Sequence, residues 1–244
     1  DAQASRGLSD DAWHDLRRNP IFWIASIIVL LMVLIAAFPQ LFSSTDPRVA
    51  TCSLGDSMKP PSAEHWFGFD KQGCDIYSRV VYGARSSILV GVFSTLLSGI
   101  LALVIGMLAG FYGGWVDALL ARFTDIVLGI PLLLGAIVVA KALASQDLGI
   151  WPVVLAVGFL GWPQPARVIR SSVIAAKQHD YVPAARILGA GNGRIMLRHI
   201  LPNAFAPMIV VLTIALGSFI ALEATLSFLG VGPRNTISWG ADIA

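Results

Sequence analysis

Long uncharged apolar runs, separated by short charged stretches, set the pattern of this chain. Ile21 to Phe38 is the first, ended by Pro39, and Ser86 to Val116 is the second. Ile126 to Ala140 is a third, reaching full length only if Asp117, Arg122 and Asp125 belong to its first turns. Leu148 to Ala166 is a fourth, and Leu201 to Leu222 a fifth that continues past Glu223 to Val231. A helix crossing a hydrocarbon layer of roughly 30 Å needs about 20 apolar residues. The pattern therefore predicts an all-α polytopic membrane protein with five transmembrane helices. The first run is not a cleaved signal peptide, because no small-residue cleavage site follows it and further spans do.

Composition supports the same class. Hydrophobic residues make up 56% of the 244 and charged residues only 13%, too few to cover a soluble domain, which carries about 25% charge. The mean hydropathy is +0.73. Seventeen basic residues against fifteen acidic give a net charge of +2, too small for a nucleic-acid binder.

Lys and Arg in the loops set the orientation. Arg6, Arg17 and Arg18 precede the first span, and Arg167, Arg170, Lys177, Arg186, Arg194 and Arg198 lie between the fourth and fifth against one acid, Asp180. The 43–84 loop mixes four basic residues with five acids. The N-terminus and 167–200 are thus expected on the cytoplasmic side, and 43–84 outside. The expected organisation is an interfacial helix over 1–19, capped by Ser9 or Asp10, a first transmembrane helix over 20–42, an extracytoplasmic loop over 43–84, and a core over 85–244.

Ser94, Ser98, Ala102, Gly106, Gly110 and Gly114 recur every four residues along the second span. Small residues at that spacing form a groove that lets another backbone approach; lining a substrate path is the alternative role. Arg122 and Asp125, three apart, can pair on one helix face. Glu223 stands alone in the fifth apolar run, either as a carboxylate bonded to a neighbouring helix or water, or as part of a translocation path. Cys52 and Cys74 share the outside loop, where an even pair favours a disulfide over two free thiols. Three prolines make that loop irregular, and its length suggests a small folded cap.

Catalytic chemistry is missing from the sequence. There is no phosphate loop, because Gly189, Gly191 and Gly193 lack the lysine. The four histidines sit at no metal-ligand spacing, and no serine occupies a nucleophile elbow. Neither a catalytic nor a metal site is expected. What stands out is the 176–202 segment. Pro183 can start a short helix that Gly189 stops, Asn192 can cap a second through Arg198, and Pro202 starts the next span. Such an arginine-studded protrusion suits docking of a cytoplasmic partner; the alternative is a basic loop held by anionic lipid.

Tyr181-Val-Pro-Ala-Ala-Arg-Ile-Leu-Gly189, with Arg198-His-Ile-Leu-Pro-Asn203, resembles the EAA coupling motif of permease subunits of bacterial ABC importers. Trp66-Phe-Gly-Phe-Asp70, Phe111-Tyr-Gly-Gly-Trp-Val-Asp117, Gly161-Trp-Pro163 and Glu223-Ala-Thr-Leu-Ser-Phe-Leu-Gly230 fit the second permease of dipeptide and oligopeptide importers. Pro183 stands where the motif usually has glutamate, and Cys74 where the family usually has arginine. The resemblance implies a type I importer permease fold, with a sixth span beyond residue 244. It implies that Tyr181, Pro183, Ala184, Ala185, Arg186, Gly189, Arg194, Arg198 and Pro202 form the ATPase-coupling surface. A second homologous permease, two cytoplasmic ATPases holding ATP and Mg, and an extracytoplasmic binding protein delivering peptide would be the partners, with no cofactor in this chain. Related permeases serve nickel and glutathione, which are alternative cargoes. A proton-coupled secondary transporter is the rival class, and the near absence of mid-membrane ionisable groups argues against it.

Overall fold

The computed structural model describes residues 13, 16–48, 52–143, 148–233 and 236–243. They form two compact units, divided between Arg85 and Ser86. The proposed cap at Ser9 or Asp10 lies outside the described residues.

In the first unit, α1 (Pro20–Ala37) opens with Asn19, whose side chain accepts from the Ile21 amide at 2.9 Å. Proline at the first helical position removes no needed donor. The helix is uncharged and apolar on every side, as lipid solvation demands, and Phe38–Pro39 ends it. The loop beyond is a folded cap. Ser53 N–H donates to the Gly73 carbonyl, Met58 to Asp70 and Phe69 to Lys59, and Cys52 is bonded to Cys74. Gly73 has φ +74°, and a Cβ there would stand 1.8 Å from the Ser53 carbonyl oxygen. Only glycine allows the two segments to close. His65 Nδ1 lies 3.3 Å from Asp75 Oδ1 in a cavity of about 230 Å³ walled by the disulfide. Arg48 donates to both carboxylate oxygens of Asp46 and holds that carboxyl below the usual carboxylate range.

The long helix α2 (Ile76–Tyr112) leads into the second unit. There follow α3 (Gly114–Leu128), α4 (Leu132–Leu143), α5 (Trp151–Gly161), α6 (Pro163–Lys177), α7 (Tyr181–Ile187), α8 (Leu201–Phe228) and α9 (Trp239–Ile243). Two apolar clusters hold them. One joins Phe111 of α2, Ile169 and Val173 of α6, Val182 and Ala185 of α7 and Ile195. The other joins Val90 of α2, Ala136 of α4, Val153 and Val157 of α5, and Phe219 and Leu226 of α8.

The spans differ from the five expected. Among the described residues three helical runs are long and apolar enough to cross a membrane, α1, α2 and the run Asn192–Phe228, or four if the bent pair α3–α4 is one span. The third expected span is a bent pair. Asp117, Arg122 and Asp125 do lie in α3, but α3 and α4 meet at 83°, because Pro131 cannot donate to the preceding turn. The fourth expected span also divides. Its apolar helix α5 has 11 residues, and Pro163 and Pro165 start the amphipathic α6 afresh at Trp162. At 1.5 Å per residue, α5 covers about half a hydrocarbon layer.

Candidate functional site

The site is built from α6, α7 and the start of α8. Gly189, at φ +82°, ends α7. The Gly189 amide donates to Arg186 O and the Ala190 amide to Ala185 O, both at 3.0 Å. This double closure is the Schellman arrangement, with its left-handed residue supplied by glycine. The second short helix differs from expectation: Asn192–Arg194 passes through a wide π turn, Ile195–Ile200, straight into α8. Pro202 therefore lies inside one continuous run rather than opening a separate span. A wide turn ahead of it accommodates the hydrogen bond that proline cannot make.

Burial divides α7 into two faces. Val182 is 3% exposed and Ala185 8%, both set into the core. Ala185 thus offers no surface for close approach, unlike Ala184, which is exposed. Pro183, Arg186, Arg194, Arg198 and Pro202 are exposed as well. The outermost apolar residues are Ile187 and Leu188, 86% and 87% exposed. Tyr181 is half-buried; its ring stacks on His179 at 5.6 Å and its hydroxyl accepts from Asn203 Nδ2 at 3.1 Å.

The small-residue ladder faces this assembly. A Cβ on Gly106 would meet Ala166 O at 2.7 Å, and one on Gly110 would meet Val173 Cγ1 at 2.8 Å and Arg170 O at 2.9 Å. Ser98 and Ala102 are fully buried, and the Ser94 hydroxyl donates to Val154 O. Gly114 departs from the series, since it opens α3 with nothing near it. Glu223 lies on no free surface. It is fully buried near the corner where α9 packs on α8, and its Oε1 accepts from the Ser227 hydroxyl at 2.7 Å. Ser227 in turn meets the Ser238 hydroxyl at 3.3 Å.

Two ion pairs were not anticipated. Asp125 accepts from Arg167 at 2.6 Å, not from Arg122, and Asp117 takes a two-pronged bond from Arg170, both prongs at 2.5 Å. The spacing of acids in α3 and arginines in α6 was a readable signal, but nothing in it set the two helices side by side.

Residues 102–244 match the profile of the binding-protein-dependent transport system inner membrane component family, more than half of the chain. The chain belongs to that family. Residues 7–61 of this permease also match the N-terminal transmembrane domain of oligopeptide transport permease C. The permease is 37% identical to the dipeptide transport system permease protein DppC of Alkalihalophilus pseudofirmus over 94% of its own length and 74% of the relative's. It is 36% identical to the oligopeptide transport system permease protein OppC of Bacillus subtilis, over 98% and 77%. With the glutathione transport system permease protein GsiD of Pectobacterium atrosepticum the identity is 34%, over 94% and 75%. It is therefore a multi-pass membrane permease of an ABC importer.

Proposed function

We propose that this permease imports di- and oligopeptides as half of a two-permease path, and that residues 181–200 dock it to a cytoplasmic ATPase subunit. The peptide reading follows the names of its relatives. The N-terminus and 167–200 face the cytoplasm and the 43–84 cap faces outside, as the basic clusters favour. A second homologous permease completes the path, a binding protein delivers cargo to the outer side, and two ATPases hold ATP and Mg. This chain carries no catalytic residue in that scheme; it alternates access as the ATPases close.

One observation carries the docking reading. Ile187 and Leu188 project almost wholly exposed from a helix whose other face is anchored by Val182 and Ala185. Burying one such side chain in a partner's groove contributes roughly 1.5–3 kcal/mol. Arg186, Arg194 and Arg198 flank them and can pair with acids at the rim. Leu188→Asp should leave the amount of inserted permease unchanged and abolish co-purification of the ATPases. Retention of the ATPases with native peptide uptake would overturn the reading. A glutathione cargo is the second reading, raised by the glutathione relative; competition of dipeptide uptake by glutathione distinguishes the two.

A further inference from the structure

Helix α6 ends at Lys177 and α7 begins at Tyr181, so displacement of α7 reaches α6 along the chain, just as it reaches α8 through Ile195. Besides α8, which packs along it, two neighbours grip α6. On one side Gly106 and Gly110 of α2 lie against the backbone of Ala166 and Arg170, closer than a Cβ would permit. On the other, α3 offers Asp117 and Asp125, eight residues apart. Asp117 meets Arg170 and Asp125 meets Arg167, so the order along one helix reverses along the other. The two helices are thus joined by two ion pairs taken in opposite order. A cavity of about 290 Å³, lined by Thr124, Asp125, Gly106, Ala166, Arg167 and Arg170, lies where α2, α3 and α6 meet.

Arg170 is the shared point of both grips. Its backbone fills the glycine groove, while its guanidinium closes a planar fork on Asp117. A two-pronged bond fixes orientation as well as distance, which a single contact does not. Sliding α6 along α3 would strain both pairs together. Phe123 of α3 also stacks on Trp162 at the start of α6, 5.6 Å between ring centres, and the ion pairs add fixed orientation to that apolar contact.

We propose that Asp117, Asp125, Arg167 and Arg170 are positioning residues for transport, making α3 move with α6 so that displacement of α7 reaches the bent α3–α4 pair. The proposal rests on the docking reading above. Leu188→Asp tests that reading alone, because it touches none of the four residues. Loss of either pair frees α3 from α6 while α7 still binds its partner. ATP is then hydrolysed without moving α3–α4.

The test uses the assembled transporter in proteoliposomes, measuring peptide delivered per ATP hydrolysed. Arg170→Gln and Asp117→Asn should each keep the ATPases bound and lower that ratio roughly tenfold, within the usual span of coupling free energies. The exchanged pair, Asp117→Arg with Arg170→Asp, should recover a large part of it, and a melting temperature of Arg170→Gln equal to the parent's separates the effect from a loss of general stability. If these variants do not assemble, Arg167→Gln and Asp125→Asn, at the more exposed pair, should lower the ratio in the same direction. Spin labels at Leu119→Cys and Ser171→Cys provide the second measurement. Their separation should hold within about 2 Å between nucleotide-free and vanadate-trapped states, the scale of ordinary helix shifts, and should spread in Arg170→Gln. A native ratio in all four single variants, or a label separation that changes in the native transporter, would overturn the proposal.

Discussion

The Lys177 ammonium donates to the Phe111 carbonyl oxygen at 2.5 Å and stands 5.6 Å from the centre of the Phe111 ring. The last residue of α6 thus caps the last turn of α2, where carbonyls lack intrahelical partners and the helix dipole is negative. The same lysine is the last residue before the turn into α7. Lys177→Met keeps most of the stem's packing and removes the charge. It should lower stability by about 1 kcal/mol, read as a fall in the melting temperature of the purified permease in detergent. An unchanged melting temperature would show that water caps α2 equally well.

The glycine groove predicts a sharper penalty than its small residues suggest. Gly110→Ala adds one methyl where Val173 and the Arg170 carbonyl already stand under 3 Å away. Overpacking of this kind costs about 1–3 kcal/mol. Gly193→Ala is the matched control, because nothing lies within 4 Å of its Cβ position. Thermal denaturation of the two variants side by side should separate them clearly, with Gly193→Ala close to the parent.

In the cap, Cys52 and Cys74 enclose a loop with a sequence separation of 22. Removing such a bridge costs roughly 3 kcal/mol in the chain-entropy account. Non-reducing peptide mapping of native membranes should recover residues 52 and 74 in one linked fragment. Cys74→Ser should make the 52–75 region markedly more sensitive to protease. Recovery of both as alkylated thiols would contradict the bridge.

Much of this protein was legible because lipid imposes a strong pattern. The apolar runs at 21–38 and 86–116 became α1 and most of α2, since a backbone in hydrocarbon must satisfy its own hydrogen bonds and only a helix does so within one segment. Gly189 was readable as a helix stop because a left-handed residue has one cheap solution. The runs at 126–140 and 148–166 misled, because hydropathy reports solvent preference and not straightness. Pro131 and Pro163 broke runs that hydropathy alone reads as single spans.

Residue chemistry determined that the chain lives in a membrane, where its polar connections fall and which permease family its motifs resemble. Tertiary structure alone decided that Ala185 turns inward while Leu188 turns out, that Glu223 is enclosed beside Ser227, and that Asp125 meets Arg167 rather than Arg122. The nearer pair, three residues apart on one helix, is what sequence spacing can express. A partner 42 residues away depends on how α6 seats in the glycine groove, and packing of that kind is set by shape across helices, which no local pattern records.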